Sequence, residues 1–151
     1  LIMGEPEDEY TTIQAGQATG ELVGGNLSLF TKLVCGKYAV NVQDKVLFLE
    51  ELGFESAPEM VNSNIYYLKQ NGVFNKIAGL WIGNYEHPSK IGLEKIIINA
   101  IRDEYKFPII KSDNFGHIDK KIIIPIGTKA EINTNEKIKI KLVEKCVDEG
   151  K

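Results

Sequence analysis

Residues that build disulfides and metal centres are scarce in this sequence of 151 residues, and their scarcity excludes whole classes of protein. Its two cysteines, Cys35 and Cys146, stand far apart and outside any CxxC pair, so neither a disulfide framework nor a cysteine metal site is expected. Each is predicted to be a buried thiol. The two histidines, His87 and His117, and the scattered carboxylates show no ligand spacing, so no metal and no other cofactor is predicted.

Long apolar runs and an excess of basic residues are also lacking. No stretch approaches the ~20 apolar residues needed to cross a bilayer, and no signal peptide opens the chain. Lys and Arg number 18 against 21 Asp and Glu, a balance that argues against a nucleic-acid partner. The sequence therefore predicts a cytoplasmic, globular protein without a membrane contact and with a chain long enough for a sizeable core.

A recognisable nucleophile is missing as well. None of the five serines stands in a G-x-S-x-G elbow, and neither cysteine has an electropositive, accessible setting. If the chain takes part in covalent catalysis, its residues therefore act as base or orienting group and not as the nucleophile.

The middle of the chain alternates between apolar strand runs and helical periodicity, whereas its end carries strand signals separated by turn residues. The segment 10–19 is predicted to be irregular and extended. We predict strands near residues 20–23, 46–50, 77–83, 108–110, 121–126, 128–132 and 136–143, and helices near 26–34, 59–71 and 89–104. This order predicts a single α/β domain with a mixed sheet and a C-terminal antiparallel β-meander.

Two helix starts can be proposed from capping residues. Asn26 is placed to cap the first helix, with Leu27, Phe30 and Leu33 on its inner face. Ser89 is placed to start the third helix. Trp81 lies between Leu80 and Ile82 in an apolar strand, where core or interface packing is a better prediction than ligand stacking.

Glu50 and His117 are the candidate catalytic residues. Glu50 ends the apolar run VLFL, and the carboxyl ends of buried strands are where open α/β sheets hold functional residues; the alternative is a solvated carboxylate. His117 lies in the turn FGHID ahead of a further apolar run, where an imidazole can act as a general base. The alternative is a turn residue that bonds its own backbone, and His87, in EHPS, has the weaker case.

The segment VGGN is the candidate substrate-binding segment. Gly24 and Gly25 precede a helix start, which permits close approach of the backbone to an anion. The segment lacks both the GxGxxG and the P-loop pattern, so tight packing at the helix entry is the simpler prediction.

Four stretches together resemble the LD-carboxypeptidase and microcin C immunity family of serine peptidases: GELVGGNLSLF, VLFLEELG, NGVFNKIAGLWIGNYE and FGHIDKKIIIPIGTKAEIN. Members of that family have an N-terminal domain that carries the nucleophilic serine and a C-terminal domain of the swivelling β/β/α type that supplies a glutamate and a histidine. The resemblance implies that residues 20–151 are this C-terminal domain and that residues 1–19 are a linker or the remnant of a substrate loop. The start Leu-Ile-Met fits an excised piece of a longer protein.

Carried over by position, the resemblance makes Glu50 and His117 the catalytic glutamate and histidine, with Glu51 where the family often has Asp. Gly24, Gly25 and Asn26 match the family's GGN signature beside the cleft and are assigned to substrate binding. The family's D-x-G-H turn has Asn114 at its first position here, and Asp113 lies one place too early.

The resemblance implies a Ser-Glu-His peptidase that cleaves an amide bond at a peptide's C-terminus. The stretch NGVFNKIAGLWIGNYE favours peptidyl-nucleotide cleavage of the microcin C immunity kind over removal of D-alanine from murein tetrapeptides. The expected partners are the protein's own N-terminal domain, the peptide substrate and a second copy in a homodimer. The chain alone is predicted to be inactive. Glu50 and His117 are expected near one another, at a looser distance than in a working enzyme. The alternative function is a non-catalytic swivelling module that binds a ligand, with His117 in a structural role.

Overall fold

The computed structural model describes residues 9–147. Over that range, the strands are β1 (Thr11–Gln14), β2 (Gln17–Asn26), β3 (Val46–Glu50), β4 (Gly79–Ile82), β5 (Ile109–Lys111), β6 (Lys129–Asn133) and β7 (Ile140–Leu142). The helices are α1 (Leu27–Phe30), α2 (Pro58–Gln70) and α3 (Leu93–Ile101), and short 3-10 turns lie at Thr31–Leu33, Val73–Asn75 and Arg102–Glu104. The strands form one sheet in the order β1-β5-β4-β3-β2-β6-β7, which confirms the predicted mixed α/β fold.

The centre of the sheet is parallel and its margins are antiparallel. Strands β2, β3, β4 and β5 pair in parallel, while β1 pairs with β5, β6 with β2, and β7 with β6 in antiparallel fashion. Asn26, the last residue of β2, pairs in register with Glu50, the last residue of β3. The carboxyl ends of these two strands therefore lie side by side.

Both faces of β3 are covered, which explains its unbroken apolar run. Leu47 and Leu49 pack on the face that carries α2 and α3, in a cluster with residues such as Ile65. Phe48 points to the opposite face, where a second cluster includes Trp81 and residues from β6 and β7. The alternation along β3 sets Glu50 on the second face and Glu51 on the helical face.

Helix α2 follows the predicted pattern closely. Pro58 occupies the first turn, where its missing N–H costs nothing. Val61, Ile65 and Leu68 are buried at the i, i+4, i+7 spacing, and Gly72 takes a left-handed φ of 70° just past the helix end.

The first helix is shorter than predicted. The side chain of Asn26 accepts a hydrogen bond from the backbone N–H of Leu29, so the predicted cap is confirmed. Leu27 and Phe30 are buried, but the helix tightens to a 3-10 turn at Thr31 and Leu33 is left exposed. The prediction that Leu33 faces inward was wrong, because the change of period rotates it away from the core.

Helix α3 begins at Leu93 and has Gly92, not Ser89, as its N-cap. Lys90 has a φ of 57°, which breaks the helical path between Ser89 and Leu93. The hydroxyl and the backbone N–H of Ser89 lie 2.8 and 3.1 Å from Nδ1 of His87. The side chain predicted to start the helix instead closes a local turn.

The predicted strand at 121–126 does not form. Pro125 has no N–H for a ladder, and the N–H of Ile122 donates to the carbonyl of Asn114 in the preceding turn. The meander is consequently reduced to the antiparallel hairpin of β6 and β7, added to the edge of β2. Strand β7 is also shorter than the predicted 136–143.

Regular structure appears where an irregular segment was predicted. Within residues 10–19, Thr11–Gln14 form β1 and residues from Gln17 onward already belong to β2. The prediction failed because β1 is an edge strand whose residues are exposed or half-buried. Its sequence, TTIQ, is therefore mostly polar and lacks the apolar alternation by which a strand is predicted.

The prediction of buried thiols was wrong, because Cys35 and Cys146 are both exposed. The sulfur of Cys35 lies 3.0 Å from the hydroxyl of Tyr67 on α2. Across residues 9–147, no helix has the length and apolar character required to cross a bilayer.

Candidate active site

Glu50 and His117 meet at the carboxyl end of β3. Nδ1 of His117 lies 2.7 Å from Oε2 of Glu50. An ionised carboxylate can only accept a hydrogen bond, so Nδ1–H is the donor and Nε2 holds the lone pair. The two side chains lie near one another, as predicted, but the expected looser distance was wrong, because this is a full hydrogen bond.

Burial differs sharply between the two partners. The side chain of Glu50 is 9% exposed, whereas that of His117 is 48% exposed. A buried carboxylate held against a half-exposed imidazole keeps one ring nitrogen fixed and leaves the ring open to a group from outside. This is the arrangement in which a carboxylate orients a general base.

Gly116 allows this close approach. Its φ is 119°, a region that favours glycine. A Cβ at this position would lie 3.2 Å from both Cβ and Oε2 of Glu50 and 3.3 Å from Cβ of Asn84. A larger residue would push the histidine turn away from the end of β3.

Asn84 joins the ends of β3 and β4 to the histidine turn through its backbone. Its N–H donates to the carbonyl of Phe115 at 3.1 Å, and its carbonyl accepts from the N–H of Glu51 at 3.2 Å. Asn84 is buried, and sequence reasoning missed it. Its position directly after an apolar strand was the available signal.

The glycines of VGGN have different environments. A Cβ on Gly24 would overlap the carbonyl oxygen of Phe48 in β3, whereas a Cβ on Gly25 would have no atom within 4 Å. Both have positive φ, 147° and 142°. Gly24 therefore serves the packing of β2 on β3, and Gly25 is the residue that leaves bare backbone beside open space.

Both polar atoms of the Asn26 side chain form hydrogen bonds within the chain. Its Oδ1 accepts from the N–H of Leu29 at 3.1 Å, and its Nδ2 donates to Oε1 of Glu51 at 2.8 Å. These bonds fix the end of β2 beside Glu50. The predicted part of Asn26 in substrate binding remains a prediction.

Glu51 is the second carboxylate at this strand end, and its role was missed by sequence reasoning. It is 3% exposed and accepts from Nδ2 of Asn26, from the N–H of Leu52 at 2.9 Å and from the N–H of Ser28 at 3.0 Å. The hydroxyl of Ser28 is a further donor. Burial alone raises the pKa of Glu51, but the bonds from Ser28, Asn26 and Leu52 outweigh it and hold the pKa below the ordinary 4.5.

Replacing Glu51 with Gln is expected to lower the free energy of unfolding by about 1–3 kcal/mol at neutral pH, because an amide adds donors where four donors already converge. The pKa of Glu51 is lower in the folded state than the ordinary 4.5. Its stabilisation is therefore present above about pH 4.5 and is lost as the pH falls through the folded-state pKa.

Urea unfolding of wild type and Glu51→Gln at pH 7 and at progressively more acidic pH measures this effect. The difference between the two proteins should shrink on acidification. The exposed Glu55 gives the matched control, since Glu55→Gln should change stability little. A difference for Glu51→Gln that is the same at every pH would contradict the role assigned to the carboxylate.

Other side chains singled out from the sequence lie apart from this pair. Asp113 is on the surface, where it forms an ion pair with Lys111 at 2.6 Å. His87 stacks on Tyr85. Among residues 9–147, which contain all five serines, no serine forms a hydrogen bond with His117. In the same range, no group of three or more His, Cys, Asp or Glu side chains could hold a metal ion.

Comparison with known proteins identifies the family. A family model described as the LD-carboxypeptidase C-terminal domain matches residues 19–132. The chain belongs to the LD-carboxypeptidase family. The match runs from within β2 to within β6 and includes Glu50, His117 and the residues 24–26.

Individual relatives of this LD-carboxypeptidase domain agree with that assignment. A protein of Bacillus subtilis (strain 168) described as a probable murein peptide carboxypeptidase is 31% identical over 145 residues, which cover 93% of this chain and 44% of that relative. The crystal structure of an MccF-like protein from Bacillus anthracis (strain Ames) has a TM-score of 0.74 at 30% identity, covering 88% of this chain and 42% of that chain.

The microcin C7 self-immunity protein MccF shares the fold. Its structure in an inactive mutant apo state has a TM-score of 0.78 at 21% identity, and the match covers 92% of this chain and 42% of that chain. The LD-carboxypeptidase domain thus spans less than half the length of each of these three proteins.

Proposed function

We propose that this domain supplies the base and its orienting carboxylate to a serine-type carboxypeptidase. The hydrogen bond of 2.7 Å between Nδ1 of His117 and Oε2 of Glu50 carries this proposal. Together with the family assignment, it gives each of the two residues a chemical role that depends on the other.

In this mechanism His117 accepts a proton at Nε2 from a serine hydroxyl while the serine oxygen attacks the carbonyl carbon of the scissile bond. The imidazolium then donates that proton to the leaving amine as the carbon–nitrogen bond breaks. Water hydrolyses the acyl-enzyme with the same base. Glu50 keeps the ring in the Nδ1–H tautomer and stabilises the imidazolium in both steps.

The serine is proposed to come from a domain outside this chain. The length of the relatives supports this, since each is more than twice the matched length. Exposed apolar side chains near the site give further support: Leu29 follows the end of β2 and is 60% exposed, and Phe54 follows Glu51 and is 78% exposed. Apolar side chains in such positions suit a covering domain.

A homodimer of the whole protein is the accompanying proposal on assembly. Sedimentation of the full-length protein tests it directly, because a monomer at high concentration would contradict it.

The substrate is proposed to be a peptide whose C-terminal amide bond is cleaved. The relative from B. subtilis is named for murein peptides and the MccF proteins for microcin C7 self-immunity. Identity to the murein-named relative is 31%, and identity to the MccF-like protein of B. anthracis is 30%. Because these values are nearly equal, both a murein tetrapeptide and a peptidyl-nucleotide are test substrates.

The 151-residue chain by itself is expected to turn over neither substrate, whereas the full-length protein should hydrolyse one of them. The physical reason is that base and orienting carboxylate act only through a nucleophilic hydroxyl. Release of D-alanine or of the nucleotide is measured by chromatography for both proteins at equal concentration. Equal turnover by the chain alone would overturn the assignment of the nucleophile to another domain. Full-length protein that binds the peptide without cleaving it would contradict the peptidase and favour a ligand-binding module.

A further inference from the structure

A buried chain of hydrogen bonds runs beneath the turn that carries His117. Nε1–H of Trp81 donates to Oγ of Ser112 at 2.8 Å, and the Ser112 hydroxyl lies 2.7 Å from Oδ1 of Asn114. Nδ2–H of Asn114 donates to the hydroxyl of Tyr10 at 3.1 Å. Trp81, Ser112 and Asn114 are 0%, 2% and 8% exposed.

The donors and acceptors of this chain have a defined direction. An indole N–H can only donate, so Oγ of Ser112 must accept from Trp81. The single proton of the Ser112 hydroxyl is then free to bond Oδ1 of Asn114. Buried polar groups with all partners in place are rigid, because any displacement leaves a group unpaired in an apolar surrounding.

An aromatic contact anchors the next residue of the same turn. The ring of Phe115 packs edge-on against Trp81, with ring centroids 4.5 Å apart, and against Phe48 at 6.0 Å. A Cβ on Gly83 would collide with the Phe115 ring. Phe115 therefore occupies a slot that glycine alone leaves open, one residue before Gly116.

We propose that Ser112 and Asn114 are positioning residues for His117. Asn114 is hydrogen-bonded to Ser112, and Phe115 packs against Trp81. These contacts fix the backbone position at which Gly116 and His117 emerge from the core. That point places Nδ1 of His117 within reach of Glu50. Neither Ser112 nor Asn114 touches the reacting atoms, and the catalytic consequence rests on the proposed function of His117.

The tautomer of His117 distinguishes positioning from stabilisation. If Ser112 and Asn114 only stabilised the fold, replacing them would not change this tautomer. In the wild type, His117 is the Nδ1–H tautomer because Glu50 accepts from that nitrogen. His87 has the opposite tautomer, because its Nδ1 accepts from the N–H of Ser89 at 3.1 Å. With only two histidines in the chain, His87 is an internal reference for ring ¹⁵N spectra, and His117→Ala assigns the signals.

Spectra of wild type, Ser112→Ala and Ile65→Val are recorded at about pH 8, where an ordinary imidazole is neutral. Ser112→Ala should lose the Nδ1–H signal of His117 and leave His87 unchanged. Ile65 is a buried residue of α2 in the core cluster on the helical face of the sheet. Ile65→Val therefore lowers stability by about 0.5–1.5 kcal/mol without touching the turn and should leave both histidines unchanged. A folded Ser112→Ala protein that retains the Nδ1–H signal would overturn the proposal.

Ser112→Thr keeps a hydroxyl and is the second variant. Where it folds, it should restore the Nδ1–H signal; a folded Ser112→Thr without that signal would contradict a role for the hydroxyl. In the full-length protein, Ser112→Ala should lower kcat by roughly 10- to 100-fold with little change in KM, as a displaced base does. The tautomer measurement needs no substrate, so it decides the positioning role even if His117→Ala proves the peptidase assignment wrong.

Discussion

Replacing His117 with Ala in the full-length protein is expected to lower kcat by roughly 10⁴-fold or more. Without the imidazole, the attacking hydroxyl loses the base to which the proposed mechanism assigns its proton. Glu50→Gln should cost about as much, because an amide can donate to Nδ1 and so stabilise the wrong tautomer. Substrate binding should change far less than turnover, since the effect lies in the chemical step.

Steady-state hydrolysis by the purified full-length variants measures these losses. His87→Ala is the matched control, because it removes the other histidine of the domain and leaves the Glu50–His117 contact in place. Combining His117→Ala with Glu50→Gln should cost no more than His117→Ala alone, since Glu50 acts through the imidazole. Turnover by His117→Ala within tenfold of the wild type would rule out the proposed base.

Replacing Gly24 with Ala is expected to destabilise the domain by more than about 4 kcal/mol, in the range reserved for severe structural conflicts. The added Cβ would overlap the carbonyl oxygen of Phe48. Phe48 belongs to β3, which is paired on both sides by β2 and β4, so the clash cannot be relieved by moving an edge strand. The positive φ of Gly24 adds backbone strain.

Gly25 supplies a closely matched control in the next position. Its φ of 142° is nearly that of Gly24, but a Cβ there meets no atom within 4 Å. Gly25→Ala should therefore cost only the backbone strain, about 1–3 kcal/mol. Urea unfolding of both variants separates the two contributions. Equal losses would show that the φ angle, and not the contact with β3, decides the requirement for glycine.

Those parts of the fold with a long periodic signal were predictable from sequence. Helix α2 has apolar residues at the i, i+4, i+7 spacing, and β3 has four consecutive apolar residues. The end of that run also singled out Glu50, since a carboxylate that directly follows four buried apolar residues is expected at the carboxyl end of the strand, where the sheet opens to the site. The proximity of Glu50 and His117 followed from strand-end position together with the family resemblance.

Other parts depended on tertiary context that no local pattern contains. Ile122, Ile123 and Ile124 have high strand propensity, yet Ile122 and Ile124 pack as cover on the second core cluster and Ile123 is 89% exposed. Ser112 and Asn114 have the composition of an exposed turn. In the fold both residues are buried, and the hydrogen bond from Trp81 to Ser112 links them to the core.

The placement of β2 between β3 and β6 has a consequence for folding. Gln17 pairs with Asn133, near the other end of the described chain, and Thr11 pairs with Lys111. Contacts so distant in sequence raise the contact order, which slows folding because long loops must close before their contacts form. During synthesis β1 and β2 emerge before their partners β5 and β6, so their pairing is delayed. Until β5 and β6 have been synthesised, the apolar residues of β2 and β3 are exposed to other chains. We therefore expect this domain to be most prone to aggregation in that interval.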